Sequence, residues 1–227
     1  MFRTARSLAV LCVSLISSVG VFAADHRVEV LDEAAPADQV SEEIAARLAP
    51  TGLRVIRGES RTVLDIWLCK EWPIDAGFEA SRAVNYSFTP GQLIGVARYP
   101  RRGAGFRDQD INKGVYTLRY AQQPVDGNHE GTSPTRDFLL LVGADVDRSP
   151  DPIAQESLQE QSADAIESTH PALLSMQKIA GGASSTPAMR HNESRDWWIV
   201  QFAGQAKVGD ETRAMPIDVV VVGYAEE

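Results

Sequence analysis

Residues 112–143, NKGVYTLRYAQQPVDGNHEGTSPTRDFLLLVG, constrain the fold more than any other stretch of the chain. The run FLLLV from Phe138 is apolar at every position, while VYTLRYAQ places Tyr116, Leu118 and Tyr120 on one face. A strand with no polar face must be covered on both sides, which puts it in the middle of a packed sheet. Pro124 has no N–H for a ladder, so the first strand ends near Gln123. Between the two strands runs a long polar loop, 124–136, carrying Asp126, Asn128, His129, Glu130 and Arg136. Both of its ends are fixed by strong strands, and long loops held in this way are often binding loops.

Other segments repeat the period-two pattern. Strands are predicted over 53–57, 61–71, 83–88, 92–99, 197–202 and 215–223. In the second of these Leu64, Ile66 and Leu68 share the core face, and Val63, Asp65, Trp67 and Cys69 share a face partly open to water. The β-branched run Val219–Val222 reads as a central strand. The expected core includes Leu64, Ile66, Leu68, Leu118, Leu140, Val220 and Val222. Residues 38–48 form a short helix with Val40, Ile44 and Leu48 on one stripe and Asp38 as its cap. A second, polar helix spans 153–169, and 180–196 reads as an exposed linker. Strands outnumber helices and do not alternate with them. That predicts a mainly β chain, a single antiparallel β-sandwich (jelly-roll-like) with two peripheral helices.

The chain opens with Arg3 and Arg6, an apolar stretch from Leu8 to Ile16, and the small pair Ala23-Ala24. This is the pattern of a secretory signal peptide over 1–24, with export to the periplasm or the extracellular space as the expectation. The apolar run falls short of the roughly 20 residues a membrane span requires, so no transmembrane helix is expected in the mature chain. Residues 25–37 are expected to be a flexible N-terminal segment. Residues 38–227 form one domain with a helical insertion at about 153–169. The formal net charge of −9 disfavours nucleic acid as a partner, since counterion release needs clustered cations. Beyond the leader only Cys69 remains, which leaves no internal disulfide and reads as a packed thiol.

The run GVYTLRYAQQPVDGNHEGTSPTRDFLLL resembles a signature of an exported bacterial protein family with no assigned activity. THPALLS, DWW and the terminal VVVVGYA are similar to further landmarks of that family. The resemblance covers most of the chain beyond the leader. It implies an exported, β-rich single domain and supplies no reaction. More loosely, the chain resembles β-rich exported domains in which a GxYTL strand leads into the core.

Two functional classes follow from the loop chemistry. In the first, the protein is a non-enzymatic binding or envelope-associated module whose ligand meets Asp126, Asn128, His129, Glu130 or Arg136. Asp126-Gly127-Asn128 also reads as a plain tight turn. In the second, His129, His170 and His191 converge with a carboxylate around a zinc-like divalent ion, giving a metal-dependent enzyme. Three unrelated surface histidines is the bland alternative, because no short metal motif joins them. No G-x-S-x-G elbow is present, and nothing selects a catalytic carboxylate pair. The loop 100–110, PRRGAGFRDQD, interleaves cations with one phenylalanine; a phosphate site and a solvated loop are both compatible with it. Trp67, Trp72, Trp197 and Trp198 read as core or as a sugar-stacking platform; Trp197 and Trp198 must face opposite ways.

Overall fold

A computed structural model describes residues 25–125, 133–179 and 186–225. The leader, the segment 126–132 with Asp126, Asn128, His129 and Glu130, and part of the expected linker lie outside the described residues. In chain order the elements are β1 (His26–Leu31), α1 (Glu42–Ala45), β2 (Gly52–Arg57), β3 (Arg61–Leu68), β4 (Trp72–Pro73) and β5 (Leu93–Tyr99). There follow β6 (Gly103–Ala104), β7 (Asp110–Ile111), β8 (Gly114–Gln122), β9 (Asp137–Gly143) and α2 (Gln155–Asp164). The chain closes with β10 (Leu173–Gln177), β11 (Ala188–Asn192), β12 (Trp197–Val208) and β13 (Glu211–Val222).

The protein is mainly β, with two helices among the described residues. One large sheet runs β1-β2-β3-β5-β8-β9-β10-β13-β12-β11, antiparallel at every step, and β4 adds to β12 in parallel. The sheet curls until its two edge strands, β1 and β11, lie side by side. The result is sandwich-like, but the two layers belong to one continuous sheet.

The apolar runs explain the curl. Along β9, Leu139 and Leu141 enter the main core, while Phe138, Leu140 and Val142 enter a second cluster on the other face. On β13, Val219 and Val221 join the first cluster and Val220 the second. Because successive side chains point to opposite faces, a strand apolar throughout needs cover on both. The curled sheet covers one face; α2, with Phe106 and Trp197, covers the other. Of the expected core, Leu64, Ile66, Leu118, Leu140 and Val220 are buried, and Leu68 and Val222 are half-buried at its margin.

Several expectations are corrected. The face of β3 carrying Asp65 is not wet: Asp65 and Trp67 are both buried. Asp65 is tolerated because Arg54 and Arg98 each fork onto its carboxylate, at 2.7 and 2.6 Å. Residues 83–88 form no strand, although Tyr86 and Phe88 are buried. Their cover comes from ring contacts with Trp72 and Tyr120, without a ladder. The first helix shrinks to Glu42–Ala45 and its cap is Ser41, whose Oγ accepts from Ile44 N at 3.3 Å. Val40, Ile44 and Leu48 are nonetheless all buried, as the stripe required. Residues 26–31 are paired with β2 along their whole length, and the linker contains β11. Edge strands such as these carry polar residues and pair on one side only, so they lack the apolar run that marks a central strand.

Candidate functional site

The sequence points to the neck of the 124–136 loop, and the described side chains there are tightly organised. Gln123 N donates to Arg136 O at 2.8 Å, extending the β8–β9 ladder one step past Gln122. Arg136 returns Nε and Nη2 to Gln123 O, at 2.8 and 2.6 Å, and its N–H donates to Ala83 O. Arg136 therefore clamps the two ends of the loop together and acts as a positioning residue. Just inside, Ser133 Oγ lies 2.9 Å from Ser175 Oγ, and Thr135 Oγ1 donates to Met176 O.

Beneath the neck is a buried polar network. Tyr120 Oη donates to Asp137 Oδ1 at 2.6 Å, and Asn85 N donates to Asp137 Oδ2 at 2.7 Å. Tyr86 Oη donates to Gln177 O and accepts from Asp218 N. Burial raises the Asp137 carboxyl above the ordinary carboxylate range, against the lowering by its hydrogen bonds from Tyr120 and Asn85. These contacts tie 83–88 and 133–137 to the sheet.

A cavity lies on the outer side of the sheet beside this neck. A groove of about 680 Å³ opens between α2 and the strands β8, β9 and β10. Its floor is apolar: Phe106, Ala121, Phe138, Leu140 and Leu173. Its rim is polar, with Arg107 and Gln123 on one side and Glu160 and His170 on the other. One end stops at Pro124, where β8 gives way to the loop. The groove exists because α2 is held off the sheet by a few fixed points. Leu158 is buried beneath the helix, and Ser162 Oγ donates to Ala172 O at 3.0 Å.

The approach to α2 is fixed from below by Gly91 and Arg119. Gly91 has φ +84, and a Cβ there would lie 1.9 Å from Ile153 O. Only glycine combines that conformation with so close an approach. Arg119, fully buried on β8, binds Asp147 through Nε and Nη2 at 2.7 Å each. Its Nη1 also donates to Gly91 O and Asp151 O. Sequence reasoning missed this role of Arg119, since its partner Asp147 lies 28 residues along the chain. It also missed the groove, whose one local signal is the single phenylalanine in PRRGAGFRDQD.

The two described candidate histidines lie in different surroundings. His170 is exposed at the rim of the groove. His191 sits on β11, stacked on Trp198 at 4.2 Å with Nε2 2.9 Å from Asp196 Oδ1. His129 lies outside the described residues. Among the described residues no three His, Cys, Asp or Glu side chains are grouped to hold a metal ion. Trp67, Trp72 and Trp197 are buried, and Trp198 faces the other way from Trp197 and is half-exposed. Burial pushes the Cys69 thiol up to about 12, so it is a packed side chain and no nucleophile. No helix among the described residues is long and apolar enough to cross a membrane. No protein-family model, no curated protein and no solved structure matches this chain.

Proposed function

We propose that the protein is an exported, non-enzymatic binding or envelope-associated module whose ligand lies in the groove beneath α2, against the 124–136 loop. The observation that carries this reading is the groove itself. A groove of about 680 Å³ with an apolar floor and a polar rim has the size of small-molecule sites. Phe138 and Leu173 offer dispersion and dehydration, while Arg107, Gln123 and His170 offer orientation at the rim. The ligand class is a compact, largely apolar molecule with a polar end. At the base of the loop, Arg136 binds Gln123 O, and Gln123 and Pro124 both line the groove.

The neutral fluorophore N-phenyl-1-naphthylamine is a suitable probe, because it gains emission in an apolar site and carries no charge for the arginines to attract. Saturable one-to-one binding to the wild type is expected. Ala163→Trp, on the half-exposed α2 side of the groove, fills the space and weakens binding by about tenfold or more, at least 1.4 kcal/mol. Equal probe affinity in wild type and Ala163→Trp would remove the groove as the site.

A further inference from the structure

A second cavity, chemically opposite to the groove, lies where β1 begins, β2 ends, β3 begins, and β5 and β13 end. Its volume is about 160 Å³, roughly five water shares of ~30 Å³ each. Arg57, Arg61, Arg101 and Arg102 line it, and no described residue lining it is acidic. In a chain of formal net charge −9 this is a local reversal of sign. Arg102 is already engaged by Asp110. The guanidiniums of Arg57, Arg61 and Arg101 make no hydrogen bond or ion pair with any described residue.

Two further side chains lining the cavity carry buried, unsatisfied polar atoms. His26 is 8% exposed and Tyr99 1% exposed, and both His26 Nδ1 and Tyr99 Oη lack a hydrogen-bond partner. Buried polar groups are ordinarily satisfied, and both residues that carry these unpartnered atoms line the one small cavity. Unpaired guanidiniums beside them set its sign.

We propose that this cavity binds a phosphate group, with Arg57, Arg61 and Arg101 as its cationic wall and His26 and Tyr99 as its buried hydrogen-bonding side chains. Guanidinium forks match phosphate oxygens in pairs, and three forks, from the end of β2, the start of β3 and the turn after β5, exceed what a single carboxylate can accept. The phosphate is free in solution or the headgroup of an anionic lipid, since both present the same oxygens. This site is independent of the groove beneath α2.

Isothermal titration at constant ionic strength, with inorganic phosphate replacing chloride, tests the proposal on the whole protein. Saturable binding is expected, weakened about tenfold by Arg57→Gln and by Arg101→Gln and unchanged by Arg47→Gln. A parallel arm measures co-sedimentation with phosphatidylglycerol vesicles; binding there alone, with the same arginine dependence, assigns the headgroup. A third readout uses unaltered protein. Burial and Arg57 hold the His26 pKa below 6.5, and His191 adds to this, while Asp25 and Asp196 oppose it. A bound phosphate must move that titration upward in the NMR spectrum. Absence of saturable binding in both arms would overturn the proposal. So would a loss on Arg47→Gln as large as that on Arg57→Gln, or a His26 titration left in place by whichever of the two phosphate forms binds.

Discussion

Replacing Arg119 by methionine tests whether the floor of the molecule is held by one buried ion pair. The Arg119 and Asp147 side chains are 0% and 3% exposed. Methionine keeps much of the apolar stem but removes two bonds to Asp147 and those to Gly91 O, Asp151 O and Ser149 O. Asp147 is left buried, with only the Thr117 hydroxyl donating to it among these partners. Removing one member of a buried pair typically costs about 3–5 kcal/mol, because the other charge stays desolvated. With a urea slope of about 2 kcal/mol per M, the midpoint should fall by about 1.5–2.5 M. Urea titration followed by tryptophan fluorescence measures this, since Trp67, Trp72 and Trp197 are buried. Adding Asp147→Leu to Arg119→Met should restore more than half of the loss, because the double variant buries no unpaired charge. A midpoint change below about 0.3 M for Arg119→Met, or a further fall in the double variant, would refute the reasoning.

The Cys69 thiol, held up at about 12 by burial, should resist a disulfide reagent at pH 8 in the native protein and react fully in urea; fast native reaction would contradict its packing. Burial raises the Asp137 carboxyl, so the unfolded chain releases that proton first. The stability from its protonated form is therefore full below 3.8 and is lost as pH rises through the folded value, and Asp137→Asn should flatten that part of the pH–stability curve. Zinc at neutral pH should leave the thermal midpoints of the wild type and of His129→Ala unchanged. A rise with log concentration only where His129 is present would favour the metal-dependent alternative.

How much of this was legible depends on whether a residue's partners are local in pattern. FLLLV announced its two buried faces, and Leu139 and Phe138 go to the two clusters that the alternation demanded. Pro124 marked the end of β8 within two residues. Asp65 and Arg119 were not legible, because a charge within a strand reads as a wet face until its partners are known. Arg98 and Asp147 lie 33 and 28 residues away. Tyr86 and Phe88 looked like a strand because their alternation is real, yet their backbone finds no ladder. β11 was read as linker because Arg190, His191 and Asn192 are edge residues with one paired side. The groove was invisible because its walls, Phe106, Leu140, Ala163 and Leu173, come from four separate segments.

Hydrogen exchange of the protein with and without N-phenyl-1-naphthylamine tests the central claim most directly. Bound probe should slow exchange in α2 and in residues 169–173, which line the groove, with strands β2 and β3 unchanged. Protection confined to other parts of the sheet, or none at saturating probe, would contradict the account.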